Sequence, residues 1–111
     1  MADQIHGHLD LLILSVVDIN PKHGYAIISE LLERSGGQFD LPEGTIYPAL
    51  HRLERRMLLE SSWMEGTTRR RRVYRITDRG KTALATERSS WSEFAAGVQS
   101  VLGWSSCLTT T

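Results

Sequence analysis

Residues 44–58 read GTIYPALHRLERRML. Ile46, Leu50, Leu53 and Met57 recur at helical spacing, and at about 100° per residue they fall within one narrow arc. The opposite face carries Pro48, His51, Arg52 and Arg55, with Tyr47 on its flank. One side is therefore apolar and the other rich in hydrogen-bond donors. Pro48 constrains where this helix begins. With Thr45 as N-cap, Pro48 falls in the first turn, where its missing N–H costs nothing. With an earlier start, its ring faces the carbonyl of Gly44 and kinks the helix.

Upstream, Ile27, Ile28, Leu31 and Leu32 form an apolar stripe on a helix over 24–34, which Gly36-Gly37 stops. Residues 38–42 are a short connector. Before them, Ile5, Leu9, Leu12, Val16 and Ile19 mark a helix over 5–19, ended by Asn20-Pro21. Leu11, Ile13 and Leu14 make it apolar almost all round, so it needs cover on more than one side. In so small a domain that cover is expected from a second subunit.

Downstream, residues 58–65 and 69–77 read as two strands joined by Gly66-Thr67-Thr68. Arg69, Arg70, Arg71 and Arg72 are consecutive, which charges both faces of the second strand. This end is expected to overhang as a projecting hairpin, rejoining the core from Val73 through Tyr74 and Ile76. A final helix is expected over 78–102, with Thr77 as its cap. Leu84, Trp91 and Val98 lie seven apart, as do Phe94 and Val101, which approximates a heptad seam for helix pairing. Glu87 interrupts that seam.

The chain has 111 residues and a formal net charge of +0. The zero is a sum of unlike parts: residues 1–51 carry a net −5, residues 52–81 a net +6 and residues 82–111 a net −1. A basic cluster of this kind is a cue for an anionic partner, because the local field matters more than the total. The single cysteine, Cys107, cannot form an intrachain disulfide, which fits a reducing compartment and a cytoplasmic location. Asp3 and Asp10 interrupt any signal peptide, and the longest apolar run, near 11–17, is too short to span a bilayer, so no membrane partner is expected. The chain lacks a phosphate-binding glycine loop, a metalloprotease motif and a nucleophile–base constellation, so no enzyme is expected.

Helix, helix, turn, helix and basic hairpin make up the winged helix-turn-helix layout. The fold class expected is mainly α with a small two-stranded β-wing, carrying N-terminal and C-terminal dimerisation helices. The expected division is a DNA-binding domain at 1–77, a dimerisation helix at 78–104 and a frayed tail at 105–111. The sequence resembles the short PadR-family transcriptional regulators, those with one C-terminal helix. The resemblance rests on residues 9–14, His23-Gly24-Tyr25, residues 44–50, Arg52-Leu53-Glu54, Leu58-Leu59, residues 70–74, and Ile76-Thr77 with Gly80 and Leu84. These cover roughly residues 5–102 in one order and spacing. Met57 departs from the pattern, since the family usually has glycine there. If the turn needs a left-handed backbone, methionine strains it; otherwise Met57 simply extends the apolar stripe.

The resemblance implies a homodimeric repressor that releases a palindromic double-stranded DNA operator when an effector binds. The DNA-facing candidates are Thr45, Tyr47, His51, Arg52 and Arg55 on the third helix and Arg69, Arg70, Arg71 and Arg72 on the wing. Tyr25 is added as a phosphate donor, as its family counterpart is thought to be. Some relatives are implied to bind planar aromatic compounds between the C-terminal and first helices. Trp91 would then be a stacking platform with Leu9, Ile13 and Val16 as walls; Phe94 and Val98 share the seam. Plain interface core is the competing reading of these residues. No cofactor is required; a small aromatic effector and a divalent transition metal are the candidate ligands. His6 and His8 are weak metal candidates, two ligands without a tight Cys/His cluster. Two alternatives stand beside the repressor: a metal-responsive winged-helix repressor, and a winged-helix protein-interaction module that binds no DNA.

Overall fold

The computed structural model describes residues 8–65 and 70–104, without the side chain of Arg70. Helix α1 (Leu9–Ile19) is followed by strand β1 (Lys22–His23), helices α2 (Gly24–Arg34) and α3 (Glu43–Arg55), strands β2 (Leu59–Glu65) and β3 (Arg70–Ile76), and helix α4 (Asp78–Leu102). Residues 5–7 of the expected first helix, His6 among them, and the expected tail lie outside the described residues.

α1 is the centre of the core. Leu9, Leu11, Ile13, Leu14, Val16 and Val17 are all buried, and they pack against α2, α3, β3 and α4 of the same chain. The expectation that a second subunit covers this helix is therefore corrected. Three helices and a strand of its own chain do so, which removes the most apolar segment from water. Of its apolar residues, Leu12 is half-buried and Ile19, at the C-terminal end, is exposed. Lys22 ties that end down: its Nζ donates to the Val16 carbonyl at 2.9 Å and to Asn20 Oδ1 at 2.6 Å. A cation suits the carbonyl end of a helix.

α2 runs over the expected residues. His23 caps it, its Nδ1 accepting from the Ala26 amide at 3.4 Å. α3 begins three residues earlier than a Thr45 cap would allow. Pro42 is its N-cap, and its carbonyl accepts from the amides of Thr45 and Ile46. Pro48 therefore lies inside the helix and not in its first turn. Its ring removes the bond that would have gone to Gly44.

The turn after α3 contains the departure at Met57. The Met57 amide donates to Glu54 O at 2.9 Å and the Leu58 amide to Leu53 O at 3.0 Å. This pair of bonds is a Schellman closure, which places its pivot residue in the left-handed region. Met57 is that pivot, with φ 63°, the one described non-glycine residue with positive φ.

The sheet has three antiparallel strands in the order β1-β3-β2. The two-stranded wing of the sequence reading is thus extended by β1, whose Lys22 and His23 pair with Tyr74 and Val73. The β2–β3 ladder runs from Leu59↔Ile76 to Glu65↔Arg70. Only its inner part is flanked by β1, so its outer part, with Arg70 to Arg72, projects.

α4 covers the expected residues and is capped by Thr77, whose Oγ1 accepts from the Gly80 amide at 2.9 Å. Only Gly80 and Leu84 of this helix are buried. The radius of gyration is 15.8 Å, against about 13 Å for a compact domain of this length. Together these two facts place most of α4 beyond the core.

Candidate nucleic-acid interface and helical groove

α3 presents the arc read from its sequence as far as Leu53; Met57, expected on the same core-facing arc, lies past the helix end in the left-handed turn and is exposed. Ile46, Ala49, Leu50 and Leu53 are buried, while Pro48, His51 and Arg55 are exposed and Thr45, Tyr47 and Arg52 half-buried. Exposed Arg71 lies on the adjoining wing, with half-buried Arg72 next to it. Arg69 is outside the described residues. Arg75 and Arg56 are also exposed; the sequence reading passed over both, although they belong to the same basic segment.

Each flank of α3 is held by charge. On one side the Asp10 carboxylate of α1 accepts from Arg52 Nη2 at 2.5 Å and from Arg56 Nη1 at 3.1 Å. On the other side, Ser61 Oγ donates to Glu54 Oε2 at 2.6 Å and accepts from Arg72 Nε at 2.8 Å. The Arg72 guanidinium completes this network, 3.5 Å from Glu54 and 5.2 Å above the Trp63 ring. Arg52 and Arg72, both DNA-facing candidates from the sequence, are engaged by carboxylates of their own chain. Asp10, Glu54, Ser61 and Trp63 were not read from the sequence as site residues. The available signal was Asp10, a lone charge in the first turn of an apolar helix.

Tyr25 is exposed, and its hydroxyl donates to Glu43 Oε2 at 2.8 Å at the start of α3. Tyr47 packs against α2 at Gly24. Burial, and secondarily the charge of Glu43, pushes its phenol above the ordinary tyrosine pKa. His23 Nε2 lies 3.2 Å from Arg71 Nη1, so the start of α2 sits beside the wing.

A second feature lies between α1, the end of α2 and α4. A hollow of about 360 Å³ is lined by Leu11, Leu12, Val16, Leu31, Phe39 and Trp91, together with Ser15, Ser35, Arg34 and Arg88. Trp91 and Val16 were expected here. Leu9 and Ile13 are not part of the lining: they are fully buried in the core on another side of α1. Trp91 also meets the edge of the His8 ring, centroids 4.8 Å apart, and the Phe94 ring at 5.8 Å. Beyond it, Phe94, Val98, Val101 and Leu102 line a shallow apolar groove along α4. Among the described residues, no group of three or more His, Cys, Asp or Glu side chains could hold a metal ion. Among them, too, no helix is long and apolar enough to cross a membrane.

Comparison with known proteins gives this arrangement a family. The pattern of the transcriptional regulator PadR-like family matches residues 13–86. A transcriptional regulator from Mycobacterium tuberculosis is 42% identical over 79 residues, 71% of each chain. The structure of a transcriptional regulator from Clostridium thermocellum superposes with a TM-score of 0.83 at 28% identity, covering 90% of this chain and 95% of that one. A PadR family transcriptional regulator from Eggerthella lenta superposes with a TM-score of 0.80 at 32% identity, covering 91% and 87%. The chain belongs to the PadR-like family of transcriptional regulators.

Proposed function

We propose that this regulator is a homodimeric repressor that binds a two-fold-symmetric DNA operator and releases it when a small aromatic effector binds. The family consists of transcriptional regulators, not enzymes, so the site's task is recognition. The observation that carries the DNA reading is α3 itself. Its apolar back is locked into the core while exposed His51 and Arg55 face outward beside a projecting arginine-bearing wing. A helix of this kind fits the major groove, and the wing's cations fit the flanking phosphate.

Self-association is supported by α4. Trp91, Phe94, Val98 and Val101 are 43%, 60%, 40% and 87% exposed, an apolar stripe that the chain's own core leaves uncovered. Two copies paired along α4 would set their α3 helices for half-sites roughly 34 Å apart. The effector reading is supported by the hollow beside Trp91, whose lining is mostly apolar with a few polar groups. Occupying it would press on α1 and α4 together and alter the spacing of the two α3 helices.

Selection of bound duplexes from a random-sequence pool tests the function. A recovered palindromic consensus, protected by the dimer, is the expected result. Recovery of no duplex, together with specific capture of a protein, would favour an interaction module instead.

A further inference from the structure

We infer that Asp10 is a specificity-determining residue for DNA binding: its carboxylate competes internally with phosphate for Arg52 and Arg56. The inference rests on the DNA reading above. Arg52 and Arg56 are one helical turn apart, so their guanidinium groups project from the same flank of α3. Both converge on one carboxylate, Arg52 on Oδ1 and Arg56 on Oδ2. The two arginine side chains are 42% and 56% exposed and Asp10 29%. In such a solvated setting an ion pair is weak, and a phosphate oxygen offers a guanidinium the same chemistry as a carboxylate oxygen. Leaving Asp10 for a phosphate therefore gains the two arginines little, and they stay on Asp10 in the wild-type complex. Two cations next to the groove face of α3 then gain little from arbitrary phosphate, while His51 remains outward to meet base edges. The free energy of a general basic patch is withheld, and that of sequence reading is kept.

The test uses Asp10→Asn, which keeps the shape and removes the charge. Binding is measured against salt on two probes: a duplex recovered by the wild-type chain from a random pool, and an unselected duplex of equal length. The expected result is a log–log salt slope steeper by about one to two, since each newly engaged phosphate contributes about 0.9. Affinity for the unselected duplex should rise several-fold and the ratio between the two probes should fall. Adding Arg52→Gln and Arg56→Gln to Asp10→Asn should abolish the gain. The same two glutamines in the wild-type background, where Asp10 already occupies the arginines, should leave the slope nearly unchanged. This second comparison keeps the test informative if Asp10→Asn folds poorly. An Asp10→Asn slope equal to or shallower than wild type overturns the inference. So does a slope that falls by about two in the Arg52→Gln/Arg56→Gln variant. A wild-type chain that binds neither duplex brings down the DNA reading, and the inference with it. Salt-dependent wild-type binding with an unmoved Asp10→Asn slope brings down the inference alone.

Discussion

The Tyr47 hydroxyl occupies the space that a Cβ at Gly24 would need. α2 and α3 therefore approach through a glycine and an aromatic ring, and the position of Tyr47 depends on the absence of a side chain at Gly24. Gly24→Ala is expected to displace the Tyr47 ring, which can yield because it is half-buried, at a cost of about 1–3 kcal/mol. Gly80 is a harsher case: a Cβ there would overlap the backbone carbonyl of Leu58, which already accepts from the Thr77 amide at 3.1 Å. Backbone cannot swing aside as a ring can. Denaturant titration should show Gly80→Ala losing more stability than Gly24→Ala, while Gly24→Ala loses more DNA affinity than its stability loss explains.

Met57 holds a left-handed conformation with an exposed side chain, so little packing offsets its strain. Met57→Gly is expected to stabilise the chain by about 1 kcal/mol, read as a higher urea midpoint with unchanged m-value. Met57→Val should destabilise it, because a β-branched residue tolerates positive φ least.

The α4 stripe separates folding from assembly. Phe94 and Val98 are exposed in the single chain, whereas Leu84 is 2% exposed. Phe94→Asp with Val98→Asp is expected to leave the far-ultraviolet spectrum intact and yield a monomer by sedimentation. Leu84→Asp should unfold the domain, since it buries an unpaired charge.

Tyr74 is a buried phenol on β3. Burial pushes its pKa up, Arg72 pulls it down, and Glu54 and Tyr47 push it up again, with a net rise. A group whose folded pKa lies above its unfolded value of about 10 holds its proton more tightly when folded. Its contribution to stability is complete below pH about 10 and is lost as pH rises through the folded value. Urea unfolding across pH 8–12 should show that loss, and Tyr74→Phe should reduce it.

Much of this was legible in the sequence where the signals are local. Gly36-Gly37 stopped α2 at the expected place, and Thr77 capped α4 as read, because capping and glycine termination involve residues three or four apart. The missing glycine at Met57 marks the turn but leaves open whether its backbone is left-handed or the residue extends the apolar stripe; the structure has it at φ 63°. What escaped depends on distant partners. β1 is two residues long, and its pairing with Val73 and Tyr74 spans the chain. The engagement of Arg52 by Asp10 spans 42 residues, and no helical period reveals it. The cover of α1 by its own chain likewise depends on how the helices assemble.

Arg55 and Arg71 are the exposed cations that α3 and the wing would place on a duplex, and they test the DNA reading most directly. The measurement is log affinity against log salt, on a duplex selected by the wild-type chain, for wild type and the Arg55→Ala/Arg71→Ala variant. Loss of two phosphate contacts predicts a slope shallower by about 1.8 with the fold retained. An unchanged slope in the folded variant would contradict the placement of DNA across α3 and the wing.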